Sequence, residues 1–204
     1  MKINHWSTLL GASLLVLGLA PQLGRAFEDQ TVVATGPATI WVNGSFPVEN
    51  FQGYTSPFGY RVSPTGGYTT EFHSGLDFAA PDGSYIRSWW SGRVIEVSDH
   101  TACGTTVRVQ SGSWIHIYCH LRGRVARDAQ GSYIDDRGSG LQIRQGQTID
   151  SGQRIGRVGM TGRTTGPHLH WTLRYEGKLV DPAVVLRAMY AAQRQGTTLS
   201  QQSF

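Results

Sequence analysis

Apolar and polar residues alternate over short runs in this chain, and a helical period of three and four is rare. The clearest run starts at Gly166-Pro167-His168-Leu169-His170-Trp171 and continues to Tyr175. A period of two predicts a strand with Leu169, Trp171, Leu173 and Tyr175 toward a core and His168, His170, Thr172 and Arg174 on the opposite face. A second pair of runs, 105–109 and 114–121, brackets Ser111-Gly112-Ser113 and reads as a hairpin. With a loop at 110–112, Val109 faces Ser113, Val107 faces Ile115, Thr105 faces Ile117 and Cys103 faces Cys119. By parity Ile115, Ile117 and Cys119 share the apolar face with Val107 and Val109, and His116, Tyr118 and His120 look away from the core. In Phe72-His73-Ser74-Gly75-Leu76-Asp77-Phe78 a turn at Ser74-Gly75 would fold His73 back over Asp77. Asp77 then begins a strand whose Leu76 and Phe78 point inward. Only residues 184–193 carry a helical pattern.

These elements predict a mostly β, antiparallel domain with a short C-terminal helix. Residues 1–26 read as a signal peptide: Met1-Lys2 is basic, 9–20 is apolar but too short to span a bilayer, and small residues precede a cleavage point after Ala26. The remainder divides into an N-terminal arm at 27–45, a domain at 46–186 with a polar insert loop at 122–142, and a helix end and tail at 187–204. Lys2 and Arg25 are the only charged residues before Phe27, so processing lowers the formal charge from +4 to +2. That is too weak to argue for nucleic acid. No second long apolar segment follows, so no membrane association is expected after cleavage. Two cysteines in an exported chain, facing each other in the hairpin, predict a Cys103–Cys119 disulfide that stabilises by roughly 3 kcal/mol on the chain-entropy argument.

Five residues fall on outward positions: His73, Asp77, His120, His168 and His170. Neutral imidazoles and a carboxylate are ordinary zinc ligands, and three protein ligands with one open position characterise catalytic zinc. Spacing alone does not choose between His168 and His170 as a ligand.

His73-x-x-x-Asp77, Tyr118-Cys119-His120-Leu121 and Gly166-Pro167-His168-Leu169-His170-Trp171, in this order and spacing, resemble the signature of the M23 (LytM/lysostaphin-type) zinc metallopeptidases, which cut peptidoglycan peptides. The similarity runs over about 46–186. It includes Ser56-Pro57-Phe58-Gly59-Tyr60-Arg61, the tandem Gly146-Gln147-Thr148-Ile149 and Gly152-Gln153-Arg154-Ile155-Gly156, and Val180-Asp181-Pro182. The resemblance implies an antiparallel β-sheet fold with the metal in a surface groove. It makes His73, Asp77 and His170 the ligands of one Zn2+, with His120 and His168 beside a water whose pKa the metal lowers to about 7. Those two histidines would serve as base and oxyanion donor in an order left open. Tyr118 becomes a candidate substrate contact, and His116 a residue bordering the groove. The expected protein is a secreted or periplasmic zinc endopeptidase, monomeric, acting on peptidoglycan cross-links. A non-catalytic regulator that activates other wall hydrolases is the competing class; retention of all five residues speaks against it. The 122–142 stretch and the cysteine pair depart from the family pattern.

Overall fold

A computed structural model describes residues 38–64 and 66–201, so the signal peptide expected at 1–26 lies outside the described residues. The first strands in chain order are β1 (Gly53–Ser56), β2 (Gly59–Val62), β3 (Thr70–His73), β4 (Leu76–Ala79), β5 (Tyr85–Arg87), β6 (Gly92–Ser98), β7 (Thr106–Ser111) and β8 (Trp114–Cys119). They are followed by β9 (Arg124–Asp128), β10 (Gly131–Asp136), β11 (Leu141–Arg144), β12 (Thr148–Ile149), β13 (Arg154–Arg157), β14 (His168–Tyr175), β15 (Lys178–Val180) and helix α1 (Pro182–Gln201). The main sheet is eight-stranded and antiparallel, in the order β1-β4-β14-β8-β7-β6-β12, with β15 also paired to β14.

Two neighbouring rows across this sheet show how its faces divide. Leu76, Trp171, Tyr118, Val107 and Val97 are successive register partners, and all are buried. Asp77, His170 and Cys119 form the next row, on the opposite face because side chains alternate. Phe78 pairs with Leu169 on the core side, and both are fully buried. The alternation read from 168–175 and 76–78 is therefore the alternation of the fold.

The hairpin differs from its predicted register. Ser111 pairs with Trp114, Val109 with His116 and Val107 with Tyr118, around a two-residue turn at Gly112-Ser113. Gly112 has φ 60°, the left-handed value a tight hairpin turn requires at its first position. This turn shifts every pairing and reverses the faces of the second strand: His116 and Tyr118 join Val107 and Val109 in the core, and both are fully buried. Neither borders the groove, and Tyr118 is no substrate contact. The disulfide between Cys103 and Cys119 is present, with Cα atoms 4.9 Å apart, but strand register does not create it. Cys103 leaves the ladder at Gly104 (φ 62°) and returns through its carbonyl to the backbone N–H of His120, at 2.8 Å.

The stretch expected as a polar insert loop is a second correction. Residues 124–144 form a three-stranded meander, β11-β10-β9, whose Ile134 and Ile143 are buried in the common core. Asp136 is clamped by Arg157, which donates from Nε at 2.6 Å and from its terminal nitrogen at 2.7 Å. That bidentate pair holds the Asp136 carboxyl below the usual range against the opposing effect of burial. Ile134 and Ile143, with the half-buried Val125 and Leu141 beside them, anchor the charged sequence to the core.

The packed unit also crosses both expected boundaries. A 3-10 helix at Ala38–Asn43 places Trp41 against Trp89, Trp90 and Trp114. Helix α1 is longer than the 184–193 pattern: Asp181 caps its start by accepting from the Ala183 N–H at 2.8 Å, and Pro182 occupies the first turn. Val185, Leu186, Met189 and Ala192 are buried, and Gln193 donates to the Gly44 carbonyl at 2.7 Å. No helix among the described residues is long and apolar enough to cross a membrane.

Candidate metal centre

Three donor atoms meet on the polar face of the sheet. Register sets Asp77 of β4 directly opposite His170 of β14, with Asp77 Oδ1 2.8 Å from His170 Nδ1. His73 arrives from β3 by the turn at Ser74-Gly75, bringing its Nε2 to 3.1 Å from Asp77 Oδ1 and 2.9 Å from His170 Nδ1. The turn must pass close: a Cβ on Gly75 would lie 2.5 Å from the Trp171 carbonyl oxygen and 2.8 Å from the His170 ring. Only glycine fits there.

The hydrogen-bonding partners decide which ring nitrogens carry protons. His73 Nδ1 lies 2.7 Å from the carbonyl oxygen of Pro57, which can only accept, so Nδ1 donates and Nε2 presents its lone pair. His170 Nε2 lies 3.1 Å from Thr172 Oγ1, a hydroxyl able to accept its proton and leave Nδ1 unprotonated. Burial lowers the pKa of the His170 imidazole despite the nearby carboxylate, so the ring is neutral near pH 7. Burial pushes the Asp77 carboxyl up, yet hydrogen bonds and charge from His170 and His73 outweigh it and hold the group well below the usual carboxylate range. Two imidazole lone pairs and an anionic oxygen therefore converge within hydrogen-bond distance. A tetrahedral Zn2+ with bonds near 2 Å holds its donors about 3.3 Å apart. The residues fit such an ion, and within the described residues they are the one such cluster.

Two more imidazoles stand beside the triad. His168 and His120 have ring centroids 4.8 Å apart, and His120 is 6.0 Å from His170. His168 Nδ1 lies 2.9 Å from the Gly166 carbonyl oxygen, and its Nε2 is 3.7 Å from Asp77 Oδ1. His120 reaches this face by a break in alternation. Continuing β8 would send it into the core with His116 and Tyr118, but His120 takes φ 62°, a left-handed conformation costly for a side-chain-bearing residue. Its N–H donates to Cys103 O at 2.8 Å, its carbonyl accepts from Gly159 at 2.9 Å, and Nδ1 lies 2.8 Å from Thr161 O. Both rings thus donate from Nδ1 to a backbone carbonyl, which leaves Nε2 free of that bond, and both line the groove. Burial pushes the His120 imidazole down to about 4, against the hydrogen bond to Thr161.

The centre opens into a groove of about 480 Å³. Arg61, which the sequence marks only as the end of Ser56-Pro57-Phe58-Gly59-Tyr60-Arg61, supports the triad. It donates to Glu71 Oε1 from Nε at 3.2 Å and from a terminal nitrogen at 3.0 Å. Its other terminal nitrogen meets Ser56 Oγ and stands 3.5 Å from Asp77 Oδ2. The β2–β3 pairing of Arg61 with Glu71 would have revealed this, but the hairpin lacks a strong alternating signal.

Fold and site together bring two imidazoles and one carboxylate, a donor set that could hold a cation, beside two further imidazoles in a groove of an antiparallel β fold. Residues 71–182 match the model of Peptidase family M23, and the chain belongs to that family. The DD-carboxypeptidase/endopeptidase Mpg of Neisseria meningitidis serogroup B is 32% identical over 165 residues, covering 74% of this chain and 34% of that protein. The peptidoglycan DD-endopeptidase ShyA of Vibrio cholerae is 34% identical over 126 residues, covering 61% of this chain and 24% of that protein. The chain thus spans about a third of the length of the first of these relatives and about a quarter of the second. A putative peptidase M23 from Pseudomonas aeruginosa superposes with a TM-score of 0.53 and 31% identity, over 82% of this chain and 61% of that one. A zinc-containing peptidase from Vibrio cholerae gives 0.54 and 29%, over 69% and 38%.

Proposed function

We propose that this chain is a zinc metalloendopeptidase that hydrolyses peptide cross-links of bacterial peptidoglycan, working as a monomer outside the cytoplasm. The observation that carries the reading is the convergence of His73 Nε2, Asp77 Oδ1 and His170 Nδ1 beside the groove-lining imidazoles of His120 and His168. The named activities of the M23 relatives support the substrate class.

His73, Asp77 and His170 would hold the ion. When bound there, zinc supplies Lewis acidity toward water and toward a peptide carbonyl. The chain's own residues do the rest. With Nδ1 fixed on a backbone carbonyl, each of His120 and His168 can accept a proton at Nε2 when neutral or donate one when charged. One takes the proton of the attacking water and passes it to the leaving amine; the other donates a hydrogen bond to the developing oxyanion. Arg61 keeps Asp77 oriented through its second oxygen. A regulator that only binds other hydrolases would not require two pre-oriented Nε2 atoms beside a ligand set.

Digestion of purified sacculi, with mass identification of the released muropeptides, tests this directly. Zinc-loaded protein should release cross-link fragments carrying one new amine per cut, chelation should stop release, and zinc should restore it. Stoichiometric zinc with no cleavage would favour the regulator.

A further inference from the structure

Four charged side chains line the groove: Arg61, Glu71, Asp77 and Arg163. The first three are committed to each other, since the Arg61 fork is spent on Glu71 Oε1, Ser56 and the edge of Asp77. Arg163 differs. Its side chain is 66% exposed, and its ion pair within the described residues is a long 3.8 Å approach to Glu71 Oε2, whose carboxylate already serves Arg61.

The backbone beneath Arg163 is firmly held. Its N–H donates to the Ala102 carbonyl at 2.8 Å, next to the disulfide-linked Cys103. Gly162 and Gly104 pack so closely that a Cβ on either would lie 2.3 Å from the other loop. Thr161 in the same loop accepts from His120 through its carbonyl, and its hydroxyl donates to the Leu121 carbonyl at 2.9 Å. A long cationic side chain therefore projects from a fixed base on the wall that also positions His120. Arg61 is cancelled by Glu71. A divalent ion neutralised once by Asp77 would leave Arg163 as a second uncancelled positive charge in the groove, and a planar fork is suited to a carboxylate.

Building on the peptidase reading, we propose that Arg163 is a specificity-determining residue that pairs with a free carboxylate of the substrate near the scissile bond. The groove then selects carboxylate-bearing peptides over neutral ones such as oligoglycine.

The test uses two synthetic peptides that differ only in whether that carboxylate is free or converted to the carboxamide. Both kcat/KM and equilibrium binding are measured for the zinc-loaded chain. The wild type should favour the acid by about tenfold or more, and the preference should shrink as salt is raised. Arg163→Met should erase the preference, with the loss confined to the acid peptide and falling mainly on KM, and Arg163→Lys should restore part of it. Equal losses on both peptides, or a wild type that binds both alike, would overturn the assignment. Binding that discriminates without cleavage of either peptide would uphold Arg163 and remove the peptidase reading instead.

Discussion

Asp77 stands directly across from His170 in the β4–β14 ladder, and Asp77 Oδ1 and His170 Nδ1 approach to 2.8 Å without leaving the sheet. Their spacing is a property of strand pairing, so it is as rigid as the core row of Leu76 and Trp171 next to it. His73 is delivered by a turn and His120 by a backbone inversion. The proposed ligands and the flanking histidines therefore depend on different parts of the fold and separate experimentally.

Removing a ligand should lower metal affinity and rate together, whereas removing a flanking imidazole should leave the ion in place. Asp77→Ala and His170→Ala are expected to purify metal-poor and inactive. His120→Ala should keep near-stoichiometric zinc and lose about 10²-fold or more in rate. Metal content and rate on sacculi check both; zinc loss from His120→Ala at native stability would put His120 among the ligands.

How much of this was legible in the sequence follows from which residues obey local rules. Alternation places His168, His170 and Asp77 correctly because β14 and β4 run without interruption. It fails at β8 because turn length sets hairpin register, and a two-residue turn in place of a three-residue loop exchanges the two faces of a strand. His120 reached the right face in the prediction by two errors that cancelled: the faces of β8 were exchanged, and the inversion at φ 62° was not foreseen. No side-chain pattern marks that inversion, since it is stabilised by backbone partners at Cys103 and Gly159 that are remote in sequence. The meander was hidden for a different reason. Its charged residues are satisfied by pairs such as Arg144 with Asp128 and Arg157 with Asp136, which composition alone presents as solvated loop.

The meander is expected to be structural. Ile134→Ala should cost about 2–5 kcal/mol, the range for emptying a buried branched side chain, because Ile134 has no exposed surface. Replacing 123–139 with a Gly/Ser linker should leave a chain that unfolds at much lower urea than the parent. Urea denaturation followed by tryptophan fluorescence reads both. A linker variant as stable as the parent would show that Ile134 and Asp136 contribute nothing to the common core.

His116 belongs to a closed relay. Trp89 N–H donates to Tyr118 Oη at 2.7 Å, and Ser111 Oγ donates to the Ser91 carbonyl at 2.7 Å. That direction leaves Ser111 Oγ to accept from His116 Nε2 at 2.9 Å and His116 Nδ1 to accept from the Tyr118 hydroxyl at 2.7 Å. Every polar atom in the chain of bonds is satisfied by a neutral imidazole, and burial holds the His116 pKa down at about 3. Below its ordinary value of 6.5 the unfolded chain takes up a proton that the folded chain refuses until about pH 3. Stability must therefore fall as pH falls through that window, by up to about 1.4 kcal/mol per pH unit for this one group. His120 and His170 are lowered too and add to the wild-type slope, so the informative quantity is a difference. His116→Gln should be less stable at pH 7.5, because the Tyr118 hydroxyl loses its acceptor, but its stability should decline less steeply between pH 6 and 4.5 than that of the wild type at equal zinc load. Its zinc content should be unchanged. Parallel pH profiles for the two proteins would mean that His116 is protonated inside the fold, donating from both ring nitrogens, and the Tyr118–His116 bond would have to be reversed.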